Sequence, residues 1–171
     1  ASDLVFRGVS PGDGAGSAVD VVGSNGSDQR GGTGIVVGAS RADTPDGEDT
    51  GAAYFVVTDG TPTGTQSLNT ANAIFHGEDD NDLAGHAVAN VGDVNGDGRT
   101  DVAIGAPAAD VDRANRSNDG SVYVVSDVFA ASNTSRKTGI ATRFRIESRT
   151  RSTATSPACC STPSPTVTST R

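Results

Sequence analysis

The chain repeats itself, with Phe6, Phe75 and Phe144 evenly spaced along it, and a period of that length limits the fold more than any other feature of the sequence. Ala15-Gly16-Ser17-Ala18-Val19 answers Ala84-Gly85-His86-Ala87-Val88, and Gly51 to Val57 answers Gly120 to Val125. Each unit holds four short stretches rich in Val, Ile, Ala or Tyr and bounded by Gly, Asp, Asn or Pro, which is a strand signature. They lie around the Phe, at 15–22 (84–91), at 35–37 (102–104) and at 52–58 (121–126). Four strands per unit predict an all-β fold of four-stranded antiparallel sheets, the blades of a β-propeller. One blade cannot cover both of its faces, so neighbours must stack to make a core. A closed ring takes roughly four to eight blades, and about two and a half are written in 171 residues, so the chain is expected to be a fragment.

Within the second unit, the run Gly92-Asp93-Val94-Asn95-Gly96-Asp97-Gly98-Arg99-Thr100-Asp101 sets oxygen-bearing side chains at positions 1, 3, 5 and 9 of a glycine-turned loop. Ca²⁺ takes six to eight oxygens at roughly 2.3–2.6 Å, and alternate residues of a tight loop can all face inward. The expected ligands are Asp93, Asn95, Asp97, the Arg99 carbonyl and Asp101. An EF-hand requires a bidentate Glu at position 12 on an exiting helix, but Ile104 stands there. Val102-Ala103-Ile104 is a short apolar run ended by Gly105 and Pro107, so the loop joins strands. The alternative is an ordinary solvated turn, which Asp, Asn and Gly also build.

On these residues the second unit resembles an FG-GAP repeat, the propeller blade of integrin α-subunits and of many microbial surface proteins. The resemblance covers about residues 4–127 and is carried by the loop Asp93 to Asp101, by Gly105-Ala106-Pro107 and by Gly120-Ser121-Val122-Tyr123. It implies calcium ligation by Asp93, Asn95, Asp97, the Arg99 carbonyl and Asp101. The family's Phe-Gly pair is less faithful here, reading Ala84-Gly85 and Ala15-Gly16. In the first unit the corresponding loop, Ser24 to Gly34, offers only the Asp28 carboxylate, and it is expected to pack without binding metal. The implied organisation is a degenerate blade over 1–66, a calcium-loop blade over 67–130, a linker and the start of a third repeat over 131–147, and a tail over 148–171.

Charge divides the chain: residues 1–135 carry a formal −14 and residues 136–171 a formal +6. The acidic body uses Arg and almost no Lys, a composition associated with halophilic proteins whose self-repulsion concentrated salt screens. It argues against nucleic acid as a partner, since phosphate contacts need a basic surface. No apolar run is long enough for a membrane span, and no signal peptide is visible. Residues 148–171 hold 13 Ser and Thr with no acidic residue and cannot build a core. Two readings of them stand. One is a glycosylated or disordered stalk. The other is a frameshifted end, because GC-rich codons for Ser164 to Thr170 read two bases later give Ala-Asp-Gly-Asp-Val-Asp, the start of another such loop. Cys159 and Cys160 are adjacent and define no disulfide framework.

Nucleophilic catalysis needs a Ser or Cys, a His and an orienting acid together. His76 and His86 are the chain's two histidines. His86 stands at the position of Ser17 and is expected on a strand, while His76 follows Phe75 in an outer strand. Glu78-Asp79-Asp80-Asp82 is expected to be a solvated charged loop. The reading is therefore a non-enzymatic, extracellular or cell-surface module, with Ca²⁺ as a structural ion, further blades of a parent protein as neighbours, and a protein or glycan ligand on a propeller face. The rival is an accessory propeller of a secreted lyase or phospholipase whose catalytic residues lie outside this chain.

Overall fold

A computed structural model describes residues 3–23, 33–58, 63–110, 118–126 and 128. Among the described residues the regular elements are nine strands and one short 3-10 turn, in keeping with the all-β reading. Strands β2 (Ala15–Val22), β3 (Thr33–Ala39), β4 (Ala52–Thr58) and β6 (Ala73–His76) form a four-stranded antiparallel sheet in the order β2-β3-β4-β6. Strands β7 (Ala87–Gly92), β8 (Asp101–Ala106) and β9 (Ser121–Val125) form a three-stranded antiparallel sheet in that order. A parallel pair, β1 (Leu4–Arg7) with β5 (Gly64–Ser67), belongs to neither sheet, and the turn η1 (Leu68–Thr70) follows β5.

The period-2 alternation of each strand sends its side chains to two different cores. Val36 and Phe55 are cross-strand partners, and with Val22, Ala53 and Phe75 they meet Val102, Ile104 and Val125 of the second sheet in one cluster. The intervening residues Val37, Tyr54 and Val56 point the other way, where Leu68 and Phe6 cover them. The first sheet is thus apolar on both faces, as a blade between two neighbours must be. Two hydrogen bonds tie its inner strand to β7: the Asn90 N–H donates to Asp20 Oδ2 at 2.7 Å, and Asn90 Nδ2 donates to the Val21 carbonyl at 3.2 Å.

The expected grouping of strands is corrected in phase. Phe75 opens the second sequence unit, yet β6 pairs with β4, Phe75 opposite Ala53, so it closes the first sheet. Periodicity shows that an outer strand exists but not which neighbour takes it, because both alternatives preserve the interval between units. After β6 the chain crosses to the second sheet through residues 77–86, which lie against 48–51: Gly77 N–H donates to the Gly51 carbonyl and Ala84 N–H to that of Thr50. The crossing is too close for side chains at Gly51 and Gly85. Both have positive φ, 78° and 79°, and a Cβ on Gly85 would strike the carbonyl oxygen of Ala52. The first unit's loop over 24–32, the region of Phe144, and residues 148–171 with Cys159 and Cys160 lie outside the described residues.

Candidate metal loop and its surroundings

The loop between β7 and β8 is wound on its own carboxylates. Asp93 Oδ1 accepts the N–H groups of Gly96 at 2.7 Å and Asp97 at 3.0 Å, and its Oδ2 accepts that of Gly98 at 2.7 Å. Asn95 Oδ1 accepts from Asp97 N–H at 2.8 Å and Asp97 Oδ1 from Arg99 N–H at 2.9 Å, while Asn95 Nδ2 donates to Asp97 Oδ2 at 2.9 Å. These successive Asx turns arise because short acidic and amide side chains reach the backbone two residues on. Gly96 and Gly98, with φ of 80° and 84°, supply the left-handed steps between them.

The far end of the loop is fixed. Asp101 is fully buried at the start of β8 and accepts the Val94 N–H at 3.1 Å. Thr100 Oγ1 donates to the carbonyl of Gly23, just past the end of β2, at 3.2 Å. Residues 93–99 are exposed, so an ordered anchor carries a solvent-facing tip.

All the expected ligand residues therefore share one loop, but their carboxylates are turned onto backbone N–H groups. Among the described residues no three His, Cys, Asp or Glu side chains gather as a ready-made metal cluster. The donor chemistry nevertheless fits a hard cation, being carboxylate and amide oxygen throughout. An oxygen that holds one N–H, such as Asp93 Oδ2 or Asn95 Oδ1, retains a second lone pair.

Other polar residues behave less as expected. Asp82, read as part of a solvated run, is buried, and its Oδ2 accepts the N–H groups of Glu78 and Asp79 at 3.0 Å each. Burial raises its carboxyl above the ordinary range, the two N–H donors partly offset this, and Asp79 and Asp110 add repulsion. Asp80 Oδ1 accepts the Glu48 N–H at 3.0 Å, bracing the loop across the chain crossing. Asp13 does for the first unit what Asp82 does for the second: it is buried and accepts the Ser10 N–H at 2.7 Å. The two stand one full repeat interval apart, a sequence signal for this shared role that their polar surroundings conceal. His86 is exposed in the bend before β7, not on a strand as expected. His76 lies on β6, half-buried, and its Nδ1 has no hydrogen-bond partner among the described residues. Burial lowers its pKa, with Asp46 pulling it partly back.

Residues 84–125 match the family model of the FG-GAP repeat. That stretch is similar to the FG-GAP repeat. The bounds of the match take in β7, the loop, β8 and β9 and leave out β6, so the match keeps the phase of the sheet and not that of the phenylalanines. The FG-GAP repeat is a propeller repeat, in agreement with the antiparallel sheets of three and four strands. No curated protein matches the chain. Among the described residues no helix is long and apolar enough to cross a membrane.

Proposed function

We propose that the chain is a non-enzymatic, calcium-binding portion of a propeller at the cell surface or outside the cell, where it offers a face to a protein or glycan partner. The observation that carries this reading is the loop Asp93 to Asp101. Its anchor is buried, its tip is exposed, and its oxygens are preset by seven hydrogen bonds from backbone and amide N–H groups. Asp93, Asn95, Asp97, the Arg99 carbonyl and Asp101 would hold the ion. Bound Ca²⁺ would supply charge neutralisation to the carboxylates of Asp93, Asp97 and Asp101, and its binding free energy would add to the stability of the sheet. The role is structural: the loop joins the inner and second strands of the FG-GAP sheet, and Thr100 clamps it to the neighbouring sheet. Its stiffness would thereby set the rim on which a partner could land.

Calcium titration by calorimetry, run on the wild-type chain and on Asp97→Ala at high salt with thermal melting alongside, tests this. One saturable site, absent in the variant and raising the wild-type melting temperature, is the expected result. Absence of binding heat in a folded sample would reduce the loop to a polar turn.

A further inference from the structure

An asparagine followed by glycine is open to attack by the backbone on its own side chain, because glycine has no Cβ to hinder the approach of its nitrogen. The chain holds two such pairs. Asn25-Gly26 lies outside the described residues, and Asn95-Gly96 stands at the exposed tip of the loop between β7 and β8. In the second pair every reacting group is held by a hydrogen bond, and the bonds act in opposite senses. Asn95 Oδ1 accepts the Asp97 N–H at 2.8 Å, which sets a donor where negative charge gathers when the amide carbon is attacked. The attacking nitrogen is restrained instead: Gly96 N–H donates to Asp93 Oδ1 at 2.7 Å. A charge-assisted bond of that kind keeps the proton on the nitrogen and the nitrogen beside Asp93. The leaving group, Asn95 Nδ2, donates to Asp97 Oδ2 at 2.9 Å. The electrophile is primed and the nucleophile is latched.

We propose that Asn95 is a site of self-deamidation and that Asp93, acting through the Gly96 N–H, is the latch that sets its rate. Once the Gly96 N–H leaves Asp93 and yields its proton to hydroxide, the nitrogen attacks Asn95 Cγ. The N–Cγ bond forms, the Cγ–Nδ2 bond breaks, and Nδ2 takes a proton from water and departs as ammonia. Water then opens the succinimide. Addition at Cγ breaks its bond to the Gly96 nitrogen and leaves aspartate, whereas addition at the main-chain carbonyl breaks the original peptide bond and leaves isoaspartate, the chain now running through Cγ. The nitrogen recovers a proton either way, so the sum is water consumed and ammonia released.

Aspartate at this position would set a carboxylate oxygen against Asp97 Oδ2 in place of the amide donor, turning attraction into repulsion. Isoaspartate would lengthen the backbone inside a ladder of turns that depends on residue spacing. Either product changes the loop in one direction only, so its tip ages. None of these steps requires a cation.

The test ages the full chain in chelator at mildly alkaline pH and follows each asparagine by peptide mapping and mass spectrometry, with isoaspartyl methyltransferase labelling to identify isoaspartate. Wild type, Asp93→Ala and Asp93→Asn are compared in the folded state. Wild type in guanidinium chloride gives the unlatched rate of Asn95, with Asn25 as a second Asn-Gly pair beside it. A hydrogen bond to a charged group is worth about tenfold in rate, so folded wild type should convert Asn95 about that much more slowly than the denatured chain. Asp93→Ala should recover most of the difference, and Asp93→Asn, which keeps an acceptor oxygen without the charge, should fall between. Circular dichroism melts show whether each variant is folded; were Asp93→Ala not, the comparison of Asp93→Asn with wild type decides. Folded variants that convert Asn95 no faster than wild type overturn the proposal. So does folded wild type converting it as fast as the denatured chain.

Discussion

Truncating Phe55 should unfold both sheets, not one. Its side chain is fully buried and sits among residues of β2, β3, β6, β8 and β9. An aromatic ring buries about 200 Å², and at about 25 cal/mol per Å² its loss is worth about 5 kcal/mol. Measured Phe→Ala changes in cores run about 3–5 kcal/mol once partial collapse of the cavity is allowed. Against a domain stability of about 5–15 kcal/mol, that is about a fifth of the total or more. With a urea slope of about 1–3 kcal/mol per M, the midpoint should fall by about 2 M. The chain has no Trp and two Tyr, Tyr54 in the first sheet and Tyr123 in the second. Urea titration of Phe55→Ala in Tyr54→Phe and Tyr123→Phe backgrounds therefore reads each sheet separately. Equal downward shifts at the two reporters are expected. A Tyr123 midpoint that does not move would refute the shared core.

The other predictions concern groups whose burial decides the outcome. Without calcium, Asp93→Ala should cost about 1 kcal/mol or less, since water takes over three exposed N–H groups, whereas Asp101→Ala should cost about 1–3 kcal/mol because it strips a fully buried acceptor; melts in a chelator compare them. Asp82→Ala should likewise cost about 1–3 kcal/mol by orphaning two N–H groups, and Asp82→Asn, which keeps an acceptor oxygen without the buried charge, should cost less. Because folding raises the Asp82 pKa, the native state binds that proton more tightly, so its contribution falls as pH rises from 3.8 through the raised value. The stability of wild type relative to Asp82→Asn should thus be greatest in acid and decline toward neutral pH, as chemical denaturation at several pH values would show. His76 has the opposite sign: its lowered pKa means the unfolded chain takes the proton first, so stability should drop as pH falls below 6.5. The corresponding curve for His76→Leu should be flatter.

Most strands were legible because their residues alternate and their ends are marked by Gly, Asp or Pro. The spans 15–22 and 52–58 coincide with β2 and β4. The loop from Asp93 was legible for a related reason: Asx turns are local chemistry, fixed by residues a few positions apart. What was hidden is what depends on distant partners. Strand β5 reads Gly-Thr-Gln-Ser, with no apolar alternation, and exists by pairing with β1 at the far end of the unit. Asp82 looks like a surface charge in sequence, and only the fold of residues 78–82 around it makes it a buried acceptor. The membership of β6 was unreadable because hydrogen bonding to β4, not periodicity, decides it.

That one-strand offset makes the sheets overlap like courses of brick. A seam drawn between the sequence units, ahead of Phe75, does not fall between sheets; it separates β6 from the β4 edge it completes. Excising or duplicating a unit would therefore alter two sheets at once. A gene that gains or loses such units keeps every sheet whole only when it does so in steps of the full interval, with each new outer strand closing the sheet written before it.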